Sequence, residues 1–125
     1  MARLRISLVT LMAAALSLGA VGVLASPAAA KSTTVKVKLT DAGCPKKVTI
    51  KAGPTTFKIK NVDASSVSEF EILSGDKVIG EKENLSPGLS GQFSLTLKPG
   101  TYTTLCPGGD RERGKLVVTR SGTAS

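Results

Sequence analysis

The two cysteines, Cys44 and Cys106, carry the most specific chemistry in this sequence. Cys106 ends the segment 97–106, in which a Pro-Gly turn joins the end of one predicted strand to a second strand that has the cysteine at its far end. Cys44 follows the first long predicted strand and lies between a glycine and a proline. Because each cysteine lies where a strand ends, we expect both at the same end of the fold.

Two cysteines at one end of a domain permit two different structures. A Cys44–Cys106 disulfide would close about sixty residues and stabilise the fold by roughly 4 kcal/mol in the chain-entropy model. Two thiolates with an oxygen ligand would instead form a metal site. Thiolates favour copper(I) or zinc, and a carboxylate moves the preference toward iron or copper(II). The residues alone leave both alternatives open.

Glu69 is the best candidate for the oxygen ligand. It begins the predicted strand 69–73 next to the loop 63–68, whereas Phe70 and Ile72 occupy the core positions of that strand. A solvated surface carboxylate is the ordinary alternative for Glu in this pattern. More distant candidates, which we expect on the surface, are Asp41, Glu81 and Glu83.

Several common sites are excluded by composition. The chain contains no His, and its two Met are Met1 and Met12, both within the first thirty residues. A copper site with His, Cys and Met ligands therefore cannot form in the remaining chain. The sequence also has no Gly-x-Ser-x-Gly elbow, no phosphate-binding loop and no convincing acid–base pair of carboxylates. We predict that the protein is not an enzyme.

Residues 1–30 have the composition of a secretory signal peptide. A basic start precedes an apolar run over residues 6–24, and three alanines, residues 28–30, provide a cleavage site. An uncleaved anchor is the less favoured alternative, because a run of nineteen residues barely spans a bilayer. Cleavage would leave one domain, residues 31–120, and a flexible tail, residues 121–125, secreted or in the periplasm, where a disulfide can persist.

The charge of residues 31–125 is unevenly distributed. They carry 15 Lys and Arg against 9 Asp and Glu, a net charge of +6. Eight Lys lie in residues 31–60, and six acidic residues lie in residues 61–90. Export and the small number of aromatic residues argue against a nucleic-acid partner. The basic segment predicts at most a weak attraction to anionic lipid or wall polymer, and the acidic segment could attract a metal cation.

Apolar and polar residues alternate along most of the chain after residue 31, which indicates β-strands with one face inward. Turn signals such as Asp41-Ala-Gly, Ala52-Gly-Pro and Lys98-Pro-Gly separate these runs. A short edge strand is expected at residues 77–80, and the last strand at residues 114–119. We also expect Tyr102, Thr104 and Cys106 on one inward face, with the Tyr102 hydroxyl bonded back to the chain. Seven or eight such strands predict an all-β antiparallel sandwich.

The joint pattern of these segments resembles the cupredoxin-like domain of EfeO-type periplasmic iron-uptake components. The matching segments are Gly43-Cys-Pro45, Ser68-Glu-Phe-Glu-Ile-Leu73, Glu83-Asn-Leu-Ser-Pro-Gly88, Leu97-Lys-Pro-Gly-Thr-Tyr102 and the late Cys106. The resemblance covers nearly all of residues 35–118 and implies a cupredoxin-like Greek-key sandwich.

The resemblance also implies a metal site. Two cysteines and a glutamate are thought to bind copper or iron in that family, and they correspond here to Cys44, Glu69 and Cys106. Full-length members carry a second, helical domain with a His-x-x-Glu motif, which this sequence lacks. The implied protein is a copper- or iron-binding or metal-relay module without a His-based blue-copper site. We expect it to be a monomer, not stably inserted in the membrane, with other iron-uptake components as its candidate partners. The alternative is an Ig-like module closed by a disulfide, with no metal.

Overall fold

The computed structural model describes Gly22 and residues 31–121. The predicted signal peptide, Gly22 apart, and residues 122–125 of the predicted tail therefore lie outside the described residues. Within residues 31–121 eight β-strands follow one another, namely β1 (Thr33–Leu39), β2 (Lys47–Lys51), β3 (Gly53–Asn61), β4 (Phe70–Ser74), β5 (Lys77–Lys82), β6 (Ser90–Leu97), β7 (Gly100–Leu105) and β8 (Arg113–Thr119). Among the described residues there is no helix with the length and apolarity needed to cross a membrane.

The strands form two sheets, one in the order β1-β3-β6 and one in the order β2-β8-β7-β4-β5. Eight strands in two sheets confirm the predicted all-β sandwich, and β5 lies at a sheet edge as expected. Two strand pairs, β1 with β3 and β2 with β8, are parallel rather than antiparallel. The chain crosses from one sheet to the other at β2 and back at β3, so that β1 and β3 run in the same direction.

The core lies between the two sheets and is built from the apolar positions of the alternating pattern. Phe57 and Ile59 are each 1% exposed, whereas Lys58 between them is exposed. The rings of Phe57 and Phe93 are stacked with centroids 5.2 Å apart, and Phe70 packs against both. Aromatic pairs at this separation add to the free energy gained by burying apolar area. The predicted division of the strands into inward and outward faces is confirmed.

The predicted corner before β7 is also present. The Tyr102 hydroxyl donates a hydrogen bond of 2.9 Å to the carbonyl oxygen of Lys98. This bond ties the start of β7 to the Pro-Gly turn before it. Farther along the same face, Thr104 and Cys106 are buried. The inward face predicted for β7 is therefore confirmed, and it directs Cys106 into one end of the core.

Candidate functional site at the disulfide end

Three loops converge at one end of the sandwich, and we call this region the disulfide end. They are residues 40–46 between β1 and β2, residues 62–69 between β3 and β4, and residues 106–112 between β7 and β8. The amide of Cys44 donates to the carbonyl oxygen of Arg111 at 2.8 Å, and the amide of Cys106 donates to that of Glu112 at 2.7 Å. Backbone hydrogen bonds thus hold both cysteines in place within ordered loops.

Cys44 and Cys106 form a disulfide, with their Cα atoms 5.4 Å apart across 62 residues of sequence. Cys44 is 2% exposed and Cys106 is fully buried. The prediction that both cysteines reach the same end of the fold is confirmed, and of the two open alternatives the structure has the disulfide. A sulfur atom in a disulfide is not a thiolate, the form of cysteine that binds metals. In this state neither cysteine is available as a thiolate ligand.

Glycines allow the three loops to pack this closely. Gly43 has a φ of 85°, and a Cβ atom there would collide with the carbonyl oxygen of Arg111. Gly108 also has a φ of 85°, and a Cβ atom there would collide with the carbonyl oxygen of Ser66. Both positions combine a left-handed backbone with a close backbone contact, which glycine alone accommodates without strain. The Gly-Cys and Pro-Gly-Gly segments therefore serve the packing of this end.

Asp41 has a structural role that the sequence did not indicate. Its carboxylate accepts hydrogen bonds from the amides of Ser65 and Ser66, each at 3.0 Å, and from the Ser66 hydroxyl at 2.7 Å. These bonds, led by the one from the Ser66 amide, lower the pKa of Asp41. We expected a plain surface carboxylate, but Asp41 instead ties loop 40–46 to loop 62–69.

Asn61, which we did not single out from the sequence, organises the same end from within the core. It is fully buried, and its side-chain amide donates to the carbonyl oxygens of Ala64, Val67 and Leu85 at 2.7–3.1 Å. Its side-chain oxygen accepts from the amide of Ala64 at 2.8 Å. One buried side chain therefore joins loop 62–69 to the segment before β6. A polar residue at the inward position of the alternating β3 pattern was the only sequence signal.

Glu69 comes just before β4, whose partner strand β7 leads to Cys106, but it is not grouped with the two cysteines among the described residues. Glu71 pairs with Leu105 in the antiparallel β4–β7 ladder, so the next step places Phe70 opposite Cys106. Phe70 and Cys106 are both buried, whereas Glu69, which precedes β4, lies close enough to Glu71 for its charge to raise the pKa of that carboxyl. The described residues contain no group of three or more His, Cys, Asp or Glu that could hold a metal ion. The structure brings Cys44 and Cys106 together without Glu69.

Glu69 belongs instead to a group of carboxylates on the outer face of the five-stranded sheet. Glu71 faces Glu81 directly across β4 and β5. Partial burial raises the pKa of Glu71, and the negative charges of Glu69, Glu81 and Glu83 raise it further. The positive charge of Arg113 on β8 acts in the opposite direction and lowers the pKa of Glu71. Four of the six acidic residues in residues 61–90 thus lie near one another.

Comparison with known proteins identifies the family to which this sandwich belongs. A family model described as the cupredoxin-like domain matches residues 8–118. The chain belongs to the cupredoxin-like family.

Curated relatives of this cupredoxin-like chain include "Iron uptake system component EfeO" of Escherichia coli K12 and of Shigella flexneri. Each is 40% identical to it over 97 residues, which cover 77% of this chain. The same match covers 26% of each relative, so that the chain spans about a quarter of their length. The resemblance to the EfeO-type cupredoxin-like domain is confirmed at the level of sequence.

Solved structures share the fold of this sandwich. Reduced auracyanin from Roseiflexus castenholzii matches with a TM-score of 0.54 at 18% identity, covering 73% of this chain and 98% of that protein. Auracyanin A from Chloroflexus aurantiacus, described as a "blue" copper protein, matches with a TM-score of 0.57 at 18% identity, covering 71% of this chain and all of that protein. At such identities the likeness supports the shared fold alone.

The copper associated with this fold does not fit the cupredoxin-like chain in its disulfide form. The chain has no His, and both sulfur atoms are bonded to each other inside the core. Among the described residues, Glu69 is not grouped with the two cysteines. A site made of Cys44, Glu69 and Cys106 therefore stays a prediction, and it would apply only to the reduced protein.

Proposed function

We propose that this cupredoxin-like domain supports iron uptake outside the cytoplasm and catalyses no reaction of its own. The observation that carries the proposal is the 40% identity to EfeO-type iron-uptake components over 97 residues. That length is comparable with the whole described sandwich, so the similarity is not confined to one motif. The predicted signal peptide supports a periplasmic or secreted location. Because the chain spans about a quarter of those relatives, it would supply one part of their function.

In the metal-binding form of this proposal, the reduced domain binds one copper or iron ion through Cys44, Glu69 and Cys106. Reduction by an external dithiol transfers two electrons and two protons to the disulfide, giving two thiols on this chain and a disulfide on the dithiol. The two thiols release their protons when they bind a metal as thiolates. The sulfur atoms would already be close together, since the Cα atoms are 5.4 Å apart. Glu69 precedes β4, beside the end of β7 that leads to Cys106, but it must move closer to the two sulfur atoms to become a ligand.

The alternative form is a disulfide-closed module that supports iron uptake without a resident metal. The specific observation in its favour is the buried Cys44–Cys106 disulfide itself. Closing this large loop stabilises a small exported domain by about 4 kcal/mol in the chain-entropy model. In this form the disulfide end keeps its three loops together, and the domain acts by binding a partner.

Native mass spectrometry separates the two forms. The protein of residues 31–125 would be measured oxidised and reduced, with copper or ferrous iron added. Metal binding predicts one ion on the reduced protein only, lost in Glu69→Ala and retained in the matched control Glu83→Ala. A reduced protein that binds no ion, or equal binding by both variants, would remove the three-ligand site. The metal-free module would then be the form that remains.

The role in iron uptake needs a separate measurement in cells. Deleting the gene in its native host is expected to lower the accumulation of radioactive iron under iron limitation, and expression of the chain should restore it. A Cys44→Ala/Cys106→Ala protein would show whether the disulfide end is needed. Unchanged iron accumulation in the deletion strain under every iron supply would contradict the proposal.

A further inference from the structure

The outer face of the three-stranded sheet carries four lysines, Lys36, Lys38, Lys58 and Lys60, which we call the basic face. The parallel register of β1 and β3 sets Lys36 beside Lys58 and Lys38 beside Lys60. Neighbouring strands lie about 4.8 Å apart, so the Cα atoms of the four lysines mark the corners of a small rectangle. The four side chains therefore extend from one small area of the sheet. All four lysines are exposed.

The pairing of lysines with lysines does not stabilise the sheet. Like charges directly opposite one another on neighbouring strands destabilise a sheet. The four lysines border a shallow groove of about 470 Å³, which Ser90 and Gln92 of β6 complete. None of the residues that line this groove is acidic. The basic face is therefore a concentration of positive charge left open to an external anion.

Two exposed apolar side chains lie at one end of the basic face, and we call them the apolar tip. Val62, 45% exposed, is two residues beyond Lys60, and Leu89, 52% exposed, precedes Ser90, the partner of Lys60. The amide of Asn61 donates to the carbonyl oxygen of Leu89 at 2.9 Å, which holds the two segments side by side. Asp63, exposed next to Val62, marks the end of the surface that would attract an anion.

The outer faces of the two sheets differ in their charge. The outer face of the five-stranded sheet carries the carboxylates around Glu71 on its β4–β5 side and two exposed lysines, Lys47 and Lys115, opposite each other on its β2–β8 side. The groove of the basic face is lined by no carboxylate. A negatively charged surface would therefore favour contact with the basic face over contact with the carboxylates around Glu71.

We propose that the basic face and the apolar tip dock this domain on the surface of an anionic phospholipid membrane. A plane of phosphate groups can meet all four lysines at once, and juxtamembrane lysines gain energy from such a plane. Exposed apolar side chains beside a basic surface are typical of peripheral membrane binding, because they enter the headgroup region while the lysines stay outside it. A soluble polyanion would use the lysines and leave Val62 and Leu89 without a role.

Docking in this way would set the disulfide end toward the membrane. Val62 begins loop 62–69, and Asp41 ties that loop to the loop that carries Cys44. The apolar tip and the disulfide thus belong to the same end of the sandwich. The inference does not depend on whether a metal binds there.

Vesicle co-sedimentation tests the proposal with the protein of residues 31–125, which contains all eight strands and the core. The probes are vesicles of phosphatidylcholine alone and vesicles with phosphatidylglycerol added. Replacing Lys36, Lys38, Lys58 and Lys60 by Gln should lower partitioning by on the order of several hundredfold at low salt, since each lysine contributes about fivefold. The matched control replaces four other exposed lysines, Lys46, Lys47, Lys51 and Lys77, by Gln and removes the same charge.

The proposal is supported if the wild type and the control variant bind the anionic vesicles and the basic-face variant does not. A Val62→Ser/Leu89→Ser variant should bind several-fold more weakly at both low and high salt, because it loses apolar rather than ionic contacts. Equal losses in the two lysine variants would mean that net charge alone is responsible and would overturn the assignment. Binding to soluble inorganic polyphosphate without binding to vesicles would overturn it as well.

Discussion

Glu71 lies directly opposite Glu81 across the β4–β5 ladder, and both side chains carry negative charge on the same outer face. Like-charged cross-strand neighbours destabilise a sheet. The partial burial of Glu71 adds a second cost, because burial disfavours the charged carboxylate. This carboxylate therefore opposes folding at neutral pH, and its effect should appear in the pH dependence of stability.

We predict that Glu71→Gln raises the free energy of unfolding at pH 7 by about 0.5 kcal/mol, the usual size of a cross-strand charge effect. The pKa of Glu71 is raised above 4.5 in the folded state, so the folded protein holds this proton more tightly than the unfolded chain. The wild type should therefore gain stability as pH falls through the folded pKa toward 4.5. Urea denaturation at pH 7 and pH 4.5 measures the effect, and a difference between the two proteins that did not shrink at the lower pH would contradict it.

Asp41 should show the opposite pH dependence. Its pKa is lowered by the hydrogen bonds from Ser66 and Ser65, so the folded state favours the ionised carboxylate. The stabilisation is present above the unfolded value of 3.8 and is lost as pH falls through the folded pKa. Asp41→Ala should lower the melting temperature at pH 7 and lose less stability than the wild type on acidification below pH 3.8. Thermal unfolding of the wild type and the variant at pH 7, 4 and 2.5 measures this difference. Melting temperatures that fell in parallel with pH in the two proteins would contradict the prediction.

The sandwich was predictable because strand alternation is a local property. The exposed Lys58 between the buried Phe57 and Ile59 shows the two faces in three residues. The parallel pairing of β1 with β3 was not predictable in this way. β1 and β3 are separated in sequence by β2, which belongs to the other sheet. No short-range sequence pattern specifies that β1 and β3 pair with each other.

The disulfide end was predictable only in part. Strand ends and turn residues correctly placed Cys44 and Cys106 at one end. Whether they bond to each other or remain thiols depends on redox conditions, which residue types do not encode. Asn61 was missed because its role depends on three carbonyl groups from loop 62–69 and from Leu85, distant in sequence, that meet around one side chain.

We predict that Asn61→Ala destabilises the domain by about 3 kcal/mol. The substitution leaves buried carbonyl groups and the Ala64 amide without their partner, and unsatisfied buried groups carry most of the cost of a lost hydrogen bond. Chemical denaturation measures the change, and Asn61→Asp should also be unfavourable because it buries a charge. A loss below about 1 kcal/mol in the Ala variant would show that water satisfies these groups.

Two buried threonines provide a matched pair with opposite expected effects. The Thr104 hydroxyl has no hydrogen-bond partner among the residues that the structure describes, whereas the Thr55 hydroxyl donates to the carbonyl oxygen of Gly53 at 3.1 Å. Thr104→Val should raise the free energy of unfolding by about 1 kcal/mol, because it removes an unsatisfied polar group with little change of shape. Thr55→Val should lower it by a similar amount. Equal effects of both substitutions in urea denaturation would disprove the contrast.

The Cys44–Cys106 disulfide should supply a large part of the stability of this domain. Replacing both cysteines by Ala is expected to lower the free energy of unfolding by about 4 kcal/mol, because the unfolded chain regains the freedom of a 62-residue separation. Alanine is preferred to serine here, since a serine hydroxyl at either buried position would add an unsatisfied polar group.

The reduced wild-type protein is the control that separates the loss of the covalent bond from the loss of side-chain packing. Reduction should lower stability almost as much as the double substitution, since the buried thiols still fill their space in the core. Amide hydrogen exchange should accelerate first at Cys44, whose amide joins loop 40–46 to loop 106–112. If the free energies of unfolding of the reduced and oxidised proteins instead differed by less than about 1 kcal/mol, the loops would be held by their hydrogen bonds and close packing rather than by the disulfide. A reduced, still folded domain would then be available for metal binding.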